Sequence, residues 1–433
     1  MSRFILIAAA AVLLVVASAR AIQFANAAVF TVADADINDD RTVNSGDRAL
    51  VALGKPIADV NHDGLVNSGD MLIVMTFYGM KVGAVTATST ATPTNTATRT
   101  PMPVSSPTSV GAVGRDKFKQ PFASTSPWNM PIGSEAQYTP ANLGTPSGFF
   151  FEDECLYLDP SAPIRTLTGN GHAWPATCVG GPGSLQVRIR DGATIPGGGG
   201  SYQPNNTGAA ILANNTDVVQ EFLASCRSNG TGTAYAGWFL CQQSLSGAGI
   251  GPYCAHGGSG LSAVGGSLRS WESAVGTQIK HALKLTMPVS TLNNDADSAE
   301  CNDGYRWPAI TADTGWNQPG GVSEYSGSVK PLCMGSLLAL SPQTNCETLV
   351  PGELSRRICA ALRDYGAYVV DVHPNAPSWR PFTINGESGA DAGISGSEIV
   401  KLFANLQVLT NNHASSVGGG GTPRAPLAPP IGN

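Results

Sequence analysis

Short apolar runs separated by Gly, Pro and Asn clusters dominate residues 115–416, and such runs are typical of β-strands. They predict strands at 185–190, 209–212, 218–223, 237–241, 281–287 and 367–372. The pattern therefore predicts a mainly β domain, and the expected architecture is a β-sandwich or jelly-roll with a few peripheral helices. A mixed α+β domain is the alternative.

Two segments carry apolar residues at helical spacing instead. The first, 353–365, places Leu354, Ile358 and Leu362 on one stripe. Gly366 follows it as a helix stop. The second, 398–406, is preceded by Ser395 as a candidate cap. These are the helices that we expect at the periphery of the β domain.

The amino terminus predicts export. Arg3 precedes the apolar run 4–16, and small residues end in Ala25-Asn26-Ala27, as in a signal peptide that spans residues 1–27. The run is short for a membrane span, and no later run is apolar for long enough to cross a bilayer. We therefore expect a secreted protein, extracellular or attached to the cell surface, with no membrane contact after cleavage.

Two segments of biased composition flank the β domain. Residues 84–114 alternate Thr, Ala, Ser and Pro, which predicts an extended linker. Residues 417–433 are rich in Gly and Pro and predict a disordered tail. Between the signal peptide and the linker, residues 28–83 form a separate small module.

Charge argues against some partners. The chain of 433 residues has a formal net charge of -6, and only 13% of its residues are charged. The β domain shows no basic stripe and no alternation of aromatic and basic residues, so nucleic acid is a poor candidate partner. Residues 28–83 concentrate the acidity, with eight Asp against four basic residues.

That acidity belongs to a 12-residue loop that occurs twice, beginning at Asp36 and again at Asp59. Oxygen-bearing side chains recur at the spacing that lets a hard cation collect about six to eight oxygens. Gly64 fits the sharp turn in the second loop, whereas Arg41 takes that position in the first, so we expect the first site to be weaker. Two Ca²⁺ ions are predicted, with the ligands Asp36, Asn38, Asp40, Thr42, Asn44, Asp47, Asp59, Asn61, Asp63, Leu65, Asn67 and Asp70.

An apolar helical run follows each loop and ends at Gly54 or Gly79. This duplicated unit, over about residues 36–80, resembles a type I dockerin. The resemblance implies a small all-α module that folds around calcium and docks on a cohesin domain of a scaffold, usually in secreted enzymes that attack polysaccharides. Glycine at Gly46 and Gly69 departs from the family, because dockerins tend to carry partner-reading side chains there. Two calcium loops that only stiffen a stalk are the alternative.

All nine cysteines lie in the β domain, and in an exported chain we expect disulfides. Sequence proximity pairs 155 with 178, 226 with 241, 301 with 333 and 346 with 359, which leaves Cys254 over. A free Cys254 two residues before His256 would allow a Cys–His nucleophilic pair, and a buried thiol without chemistry is the simpler alternative.

The sharpest local motif is Ala-His-Gly-Gly-Ser-Gly-Leu-Ser at 255–262. Its glycines let the backbone approach another group closely, and His256 beside Ser259 or Ser262 is compatible with a serine hydrolase. No Gly-x-Ser-x-Gly elbow is present, so a tight turn with a hydrogen-bonded histidine is the alternative.

Glycosidic cleavage needs two carboxyl groups that flank the scissile bond. Glu221 and Asp371 lie in apolar strand segments, where burial raises a carboxyl pKa, and with His256 they are the predicted catalytic residues. A solvated, outward carboxylate is the alternative for each. The reserve candidates are Asp217, Asp303, Asp313 and the acidic cluster Glu152-Asp153-Glu154.

Aromatic side chains with a polar edge stack on sugar faces. Trp238, Tyr305 and Trp307, together with Arg306, are therefore the predicted substrate-binding residues, and core packing is the alternative. Segments such as Ser126-Pro127-Trp128-Asn129 are similar to a broad set of exported bacterial proteins, which implies one coherent domain over 118–372 and no particular reaction.

These features favour a secreted, dockerin-bearing enzyme that degrades polysaccharides, most of all a glycoside hydrolase with a carboxylate pair. A non-catalytic carbohydrate-binding or scaffold-associated protein is the second hypothesis. A polysaccharide lyase is the third, with Tyr305 or His256 as base and Arg306 as the group that neutralises a uronate.

Overall fold

Hydrogen bonds join twelve strands into one mixed sheet. The computed structural model describes residues 114–144, 148–169, 183–193, 205–226, 234–294, 301, 303–373 and 382–432, with the backbone alone at 205–206, 224–226 and 234–238. The strands are β1 (Tyr138–Pro140), β2 (Phe149–Tyr157), β3 (Ile164–Gly169), β4 (Gly183–Arg188), β5 (Asn205–Ile211), β6 (Val218–Cys226), β7 (Ala234–Ser244), β8 (Leu283–Pro288), β9 (Leu337–Ala339), β10 (Ala367–His373), β11 (Phe382–Glu387) and β12 (Gln407–Leu409). Their order across the sheet is β1-β12-β9-β10-β8-β11-β2-β5-β6-β7-β3-β4.

Within the described residues, three α-helices accompany the sheet: α1 (Cys346–Leu349), α2 (Glu353–Asp364) and α3 (Gly396–Phe403). In α2 the predicted stripe is buried, and the helix ends where Gly366 takes a φ of 79°. Short 3-10 turns lie at Ser270–Ser273, Val289–Thr291 and Val417–Gly419.

The six strands and two helices that the sequence predicts are therefore confirmed, each within a few residues. A mainly β domain with few helices is confirmed with them. The sandwich or jelly-roll arrangement stays a prediction.

The central strands of the sheet are the most buried. Every residue of β8 is buried, and its neighbours are β10, which is parallel, and β11, which is antiparallel. β11 and β5 both run parallel to β2. Strands buried on both faces read as continuous apolar runs. Lys284 and Thr286, inside β8, are polar exceptions that point to a polar site.

Three disulfides join described cysteines: Cys301–Cys333 and Cys346–Cys359 as predicted, and Cys241–Cys254. The predicted pairing of 226 with 241, and with it a leftover Cys254, is wrong. β6 and β7 form an antiparallel hairpin in which Cys226 lies opposite Tyr235. Cys241 is six residues further along β7, on the order of 20 Å away at ~3.3 Å per residue, which is too far for a disulfide.

Cys155 is buried, and its predicted partner, Cys178, lies outside the described residues. The same holds for the signal peptide, the two calcium loops and nearly all of the linker, so these remain predictions. No helix among the described residues is long and apolar enough to span a membrane.

The carboxy-terminal segment 417–432 differs from the disordered tail that we expected. Gly418 to Gly421 all take positive φ values, which lets the backbone pack closely against residues 131–136. A Cβ on Gly419 would lie 2.6 Å from the Ala136 Cα. The Arg424 amide then donates to the Ile132 carbonyl at 2.9 Å. The glycines therefore serve close packing.

Candidate functional site

Polar side chains cross one face of the central strands, in the buried part of the sheet. Thr286 of β8 lies opposite Asp371 of β10, and Glu152 of β2 lies opposite Asn385 of β11. Residues two apart on a strand share a face, so the next pair along also belongs to it. We call this set the polar stripe: Asp371, Lys284, Thr286, Asn385, Glu152 and Glu154. Inside a protein such groups need protein partners to replace water.

The polar stripe finds those partners in residues 254–263, here called the His256 loop. The loop lies between β7 and β8, and the Cys241–Cys254 disulfide ties its first residue to β7. The motif that the sequence singled out is therefore held against the sheet at a fixed position.

Glu221 of β6 anchors the same loop. Its buried carboxylate accepts hydrogen bonds from the amides of Ala255 (3.1 Å) and Ala263 (2.8 Å) and from the hydroxyl of Ser262 (2.7 Å). The side-chain amide of Gln243 donates to it as well. Four donors on one carboxylate make Glu221 a clamp on both ends of the His256 loop, a different role from the catalytic one that we predicted.

His256 belongs to this loop, and its side chain is fully buried. Its Nε2 is 2.9 Å from Oε1 of Glu154. Its Nδ1 has no hydrogen-bond partner among the described residues, and Oδ2 of Asp371 lies 3.9 Å from it. A carboxylate can only accept, so Nε2 carries a proton and Nδ1 is the ring atom left for chemistry.

Glu154 and Lys284 form the charged base of the site. The Lys284 ammonium lies 2.7 Å from Oε1 of Glu154, and both side chains are buried. Burial alone would raise the pKa of Glu154, but the Lys284 charge and the hydrogen bonds from His256 and Lys284 outweigh it and hold that pKa at about 2. Burial lowers the pKa of Lys284. A permanent carboxylate therefore orients the imidazole.

At Gly257 and Gly258 the backbone of the His256 loop leaves space for the carboxyl groups of Asp371 and Asp313. A Cβ on Gly257 would lie 2.0 Å from the carboxyl carbon of Asp371, and a Cβ on Gly258 would lie 2.2 Å from Oδ2 of Asp313. Real Cβ atoms do not approach other atoms so closely, so only glycine leaves room for both acids. Asp371 and Asp313, here called the acid pair, thus contact adjacent backbone positions.

The two acids hold protons with different strength. Burial raises the pKa of Asp371 well above its usual range, and the negative charges of Asp313 and Glu152 raise it further. Burial also raises the pKa of Asp313, but the Tyr325 hydroxyl, which donates to its Oδ2 at 2.8 Å, opposes that rise. Asp313 is therefore the acid that ionises first as the pH rises, and Asp371 holds its proton to a higher pH.

Tyr253 gives the acid pair an aromatic edge towards solvent. Its side chain is 49% exposed. Burial raises its pKa, and the charges of Asp313 and Asp371 add to the rise, so its ring lies within electrostatic reach of both acids.

The described contacts of the predicted substrate-binding residues are structural. Tyr305 and Trp307 are half-buried, and Tyr305 packs against the core. The Arg306 guanidinium donates to main-chain carbonyls, among them that of Thr410 at 2.7 Å, and so supports loops. For Trp238 only the backbone is described.

The nucleophile alternatives are not supported. The Cys254 sulfur is bonded to that of Cys241, so Cys254 has no thiol to act as a nucleophile. The Ser259 hydroxyl donates to the His256 carbonyl at 3.0 Å, and that of Ser262 donates to Glu221, so neither is bonded to the imidazole. Of the reserve acids, Asp217 pairs with Lys117 at 2.6 Å.

Sequence reasoning put Asp313 and Glu154 in reserve and missed Lys284, Tyr253 and Tyr325. A lysine between leucines in a strand was the available signal for Lys284, since a buried ammonium needs a carboxylate partner. The two tyrosines carried no comparable signal.

Among the described residues, one group of acids and cysteines converges tightly enough to hold a metal ion, namely Glu221, Cys241 and Cys254. The two sulfur atoms are joined in a disulfide, so no thiolate is available there.

Comparison with known proteins adds no family to this geometry. The chain matches no protein-family model, and neither the curated proteins nor the solved structures include one that is detectably similar to it.

Proposed function

We propose that residues 115–416 form a hydrolase that cleaves glycosidic bonds of a polysaccharide with the acid pair. The observation that carries the proposal is the approach of Asp371 and Asp313 to Gly257 and Gly258, in surroundings that favour a proton on one acid and a charge on the other. Two carboxyl groups with divided protonation are what glycoside hydrolysis requires.

Each acid has a separate role in this reaction. Asp371 donates its proton to the glycosidic oxygen as the bond from that oxygen to the anomeric carbon breaks. Asp313 either takes a proton from the water that attacks the anomeric carbon or attacks that carbon itself before water releases the sugar. In both cases one water is consumed and one new reducing end appears.

The surrounding residues support these roles. The hydrogen bond from Tyr325 stabilises the charge on Asp313. His256, held by Glu154, directs the unprotonated Nδ1 towards Asp371, where it can accept a proton. Tyr253 presents an exposed ring on which a sugar can stack.

The test is an assay of released reducing ends on a panel of polysaccharides, with the absorbance of unsaturated uronates followed in parallel. We expect reducing ends without that absorbance, and a loss of about 100-fold or more in Asp371→Asn and in Asp313→Asn. Asp303→Asn is the matched control, because Asp303 is exposed and lies outside the polar stripe.

The other outcomes separate the competing functions. Unsaturated products would show a lyase. Retention on one polysaccharide without any cleavage would show a binding protein. Full activity of both acid-pair variants would remove these residues from the reaction.

We further propose that residues 36–80 form a dockerin-like anchor that binds two Ca²⁺ ions and docks on a cohesin domain. Its support is the doubled loop with ligands from Asp36 to Asp47 and from Asp59 to Asp70. Calorimetry of the full chain tests it, because EDTA should abolish a low-temperature transition and leave the transition of the disulfide-bonded domain in place. A calorimetric trace that EDTA does not change would contradict the calcium sites.

A further inference from the structure

A cleft lies at the carboxyl end of β2, and the acid pair does not line it. Its volume is about 490 Å³, which is within the usual range of ligand sites, about 300–1,000 Å³. Residues from the start of the domain, from β2, from the end of β4 and from the 269–271 segment form its walls. We call it the β2 cleft.

One wall of the β2 cleft is fixed by internal hydrogen bonds. Arg269 lies 3.4 Å from Glu387 and also donates to the carbonyl of Phe118 at 3.1 Å. The amide and the hydroxyl of Ser270 both donate to the same Glu387 carboxylate, at 2.9 and 2.8 Å. Arg269 and Glu387 therefore balance each other's charge in this wall.

The remaining acids at the β2 cleft are satisfied in the same way. Glu154 is neutralised by Lys284. Asp159 accepts from the amide and hydroxyl of Ser161 at 2.8 and 2.6 Å, and Asp116 accepts from an amide at 2.9 Å. Each acid of the lining therefore has a hydrogen-bond donor or a cation of the protein beside it.

Two basic groups of the lining do lack partners among the described residues. The Nε of Arg188 is buried without a hydrogen-bond acceptor, although its Nη1 donates to the Ala162 carbonyl at 3.1 Å. Lys119 is exposed, and its ammonium forms no ion pair with any described acid. Arg190 also lines the cleft and is exposed, and its charge lowers the pKa of Asp159, so it is not one of these two groups. The β2 cleft therefore has unmet capacity for an anion.

An exposed aromatic residue completes the lining. Trp271 is 37% exposed beside these cations. An indole ring stacks on the apolar face of a sugar, and guanidinium and ammonium groups bind carboxylates. A ring surface beside the Lys119 ammonium and the Arg188 guanidinium matches a sugar that carries a carboxylate.

We propose that the β2 cleft binds an acidic polysaccharide through the carboxylates of its uronic acid units. This site is distinct from the acid pair and does not depend on cleavage there. A chain held in the β2 cleft stays near the protein, which raises its effective concentration at any second site on the same molecule.

The test is affinity electrophoresis of the full-length protein in gels that contain polygalacturonate or the same polymer after methyl esterification. The esterified polymer keeps the sugar chain and removes its charge. We expect retardation by polygalacturonate that falls with added salt, and little retardation by the ester.

Variants locate the site. Lys119→Gln, Arg190→Gln and Trp271→Ala alter exposed side chains and should each weaken binding about tenfold. Arg356→Gln is the matched control, an arginine of α2 outside the cleft that pairs with Glu347. The double variant Asp371→Asn/Asp313→Asn should bind as the unmodified protein does.

Three results would overturn the proposal: equal retardation by the ester, unchanged binding in all three cleft variants, or loss of binding in the acid-pair variant. An absence of reducing ends on every substrate would refute the proposed hydrolase and leave the β2 cleft standing, so the two failures are distinguishable.

Discussion

The Nδ1 atom of His256 lies 3.9 Å from the Oδ2 atom of Asp371, and both residues are buried. The gap is longer than a hydrogen bond, yet His256 cannot turn away, because its Nε2 is bound to Glu154. A modest shift of either side chain would close the gap. His256 therefore lies between the charged Lys284–Glu154 pair and Asp371, whose pKa is raised.

The dependence of activity on pH should follow the two acids. The raised pKa of Asp371 lets it keep its proton to a higher pH than an ordinary aspartate does, so activity should decline on the alkaline side as that proton leaves. Asp313 must be ionised, so activity should also decline in acid. The measurement is kcat/KM against pH, and a profile that does not vary between pH 4 and 9 would contradict the assignment.

Gly257→Ala should inactivate the protein, whereas Gly276→Ala should not. Both glycines have positive φ, 28° and 80°, so both substitutions carry a backbone strain of about 1–2 kcal/mol. Only at Gly257 would the new methyl group overlap the Asp371 carboxyl group, since nothing lies within 4 Å of the Cβ position at Gly276. Activity and melting temperature are measured together, and equal losses in the two variants would show that strain alone explains the effect.

Lys284→Met should destabilise the domain more than the double change Lys284→Met/Glu154→Gln. Removing one member of a buried ion pair leaves an unpaired charge, which costs about 3–5 kcal/mol, whereas removing both charges avoids that penalty. Urea denaturation measures both free energies of unfolding. A double variant as unstable as the single one would mean that the lost packing outweighs the charge.

Glu154 adds a pH dependence of stability with a definite sign. Its pKa in the folded protein, about 2, is below the value near 4.3 of an unfolded chain. The stabilisation is therefore present above pH ~4.3 and is lost as the pH falls towards 2. Denaturation of the unmodified protein and of the double variant over this range should show a steeper acid loss in the former.

Glu221→Gln should lower both stability and activity, whereas Asp371→Asn should lower activity alone. Glu221 binds four donors, so its replacement should lower stability by about 1–3 kcal/mol and reduce activity through the His256 loop. Asp371 has a raised pKa, so any stability that it contributes is present below the unfolded pKa and lost as the pH rises. Its amide variant should thus lose activity without losing stability at neutral pH. Calorimetry with the reducing-end assay checks both.

Much of the secondary structure was predictable from local pattern. Strand and helix periods are properties of consecutive residues, so β8, β10 and α2 follow directly from the sequence. The Cys346–Cys359 pairing was predictable as well, since a short connection joins α1 and α2. The pairing of Cys226 with Cys241 failed because proximity in sequence across a hairpin becomes distance in space.

The site was less predictable because it depends on how separate strands align in the sheet. Glu154, Lys284 and Asp371 meet only when β2, β8 and β10 align in one sheet, and no local pattern states that alignment. Glu221 satisfied every local criterion for a catalytic acid, burial included. Its contacts with the amides of Ala255 and Ala263 were not visible in the sequence.

The packed segment 417–432 brings the two ends of the described domain together. The Arg115 amide donates to the Pro430 carbonyl at 2.9 Å, and the Gly432 amide donates back to the Arg115 carbonyl at 3.0 Å. Domains with adjoining ends tolerate circular permutation, since a short peptide can join the old termini and new ones can open at an exposed loop. A permuted chain opened at the exposed Gly276 would therefore be expected to keep both the acid pair and the β2 cleft.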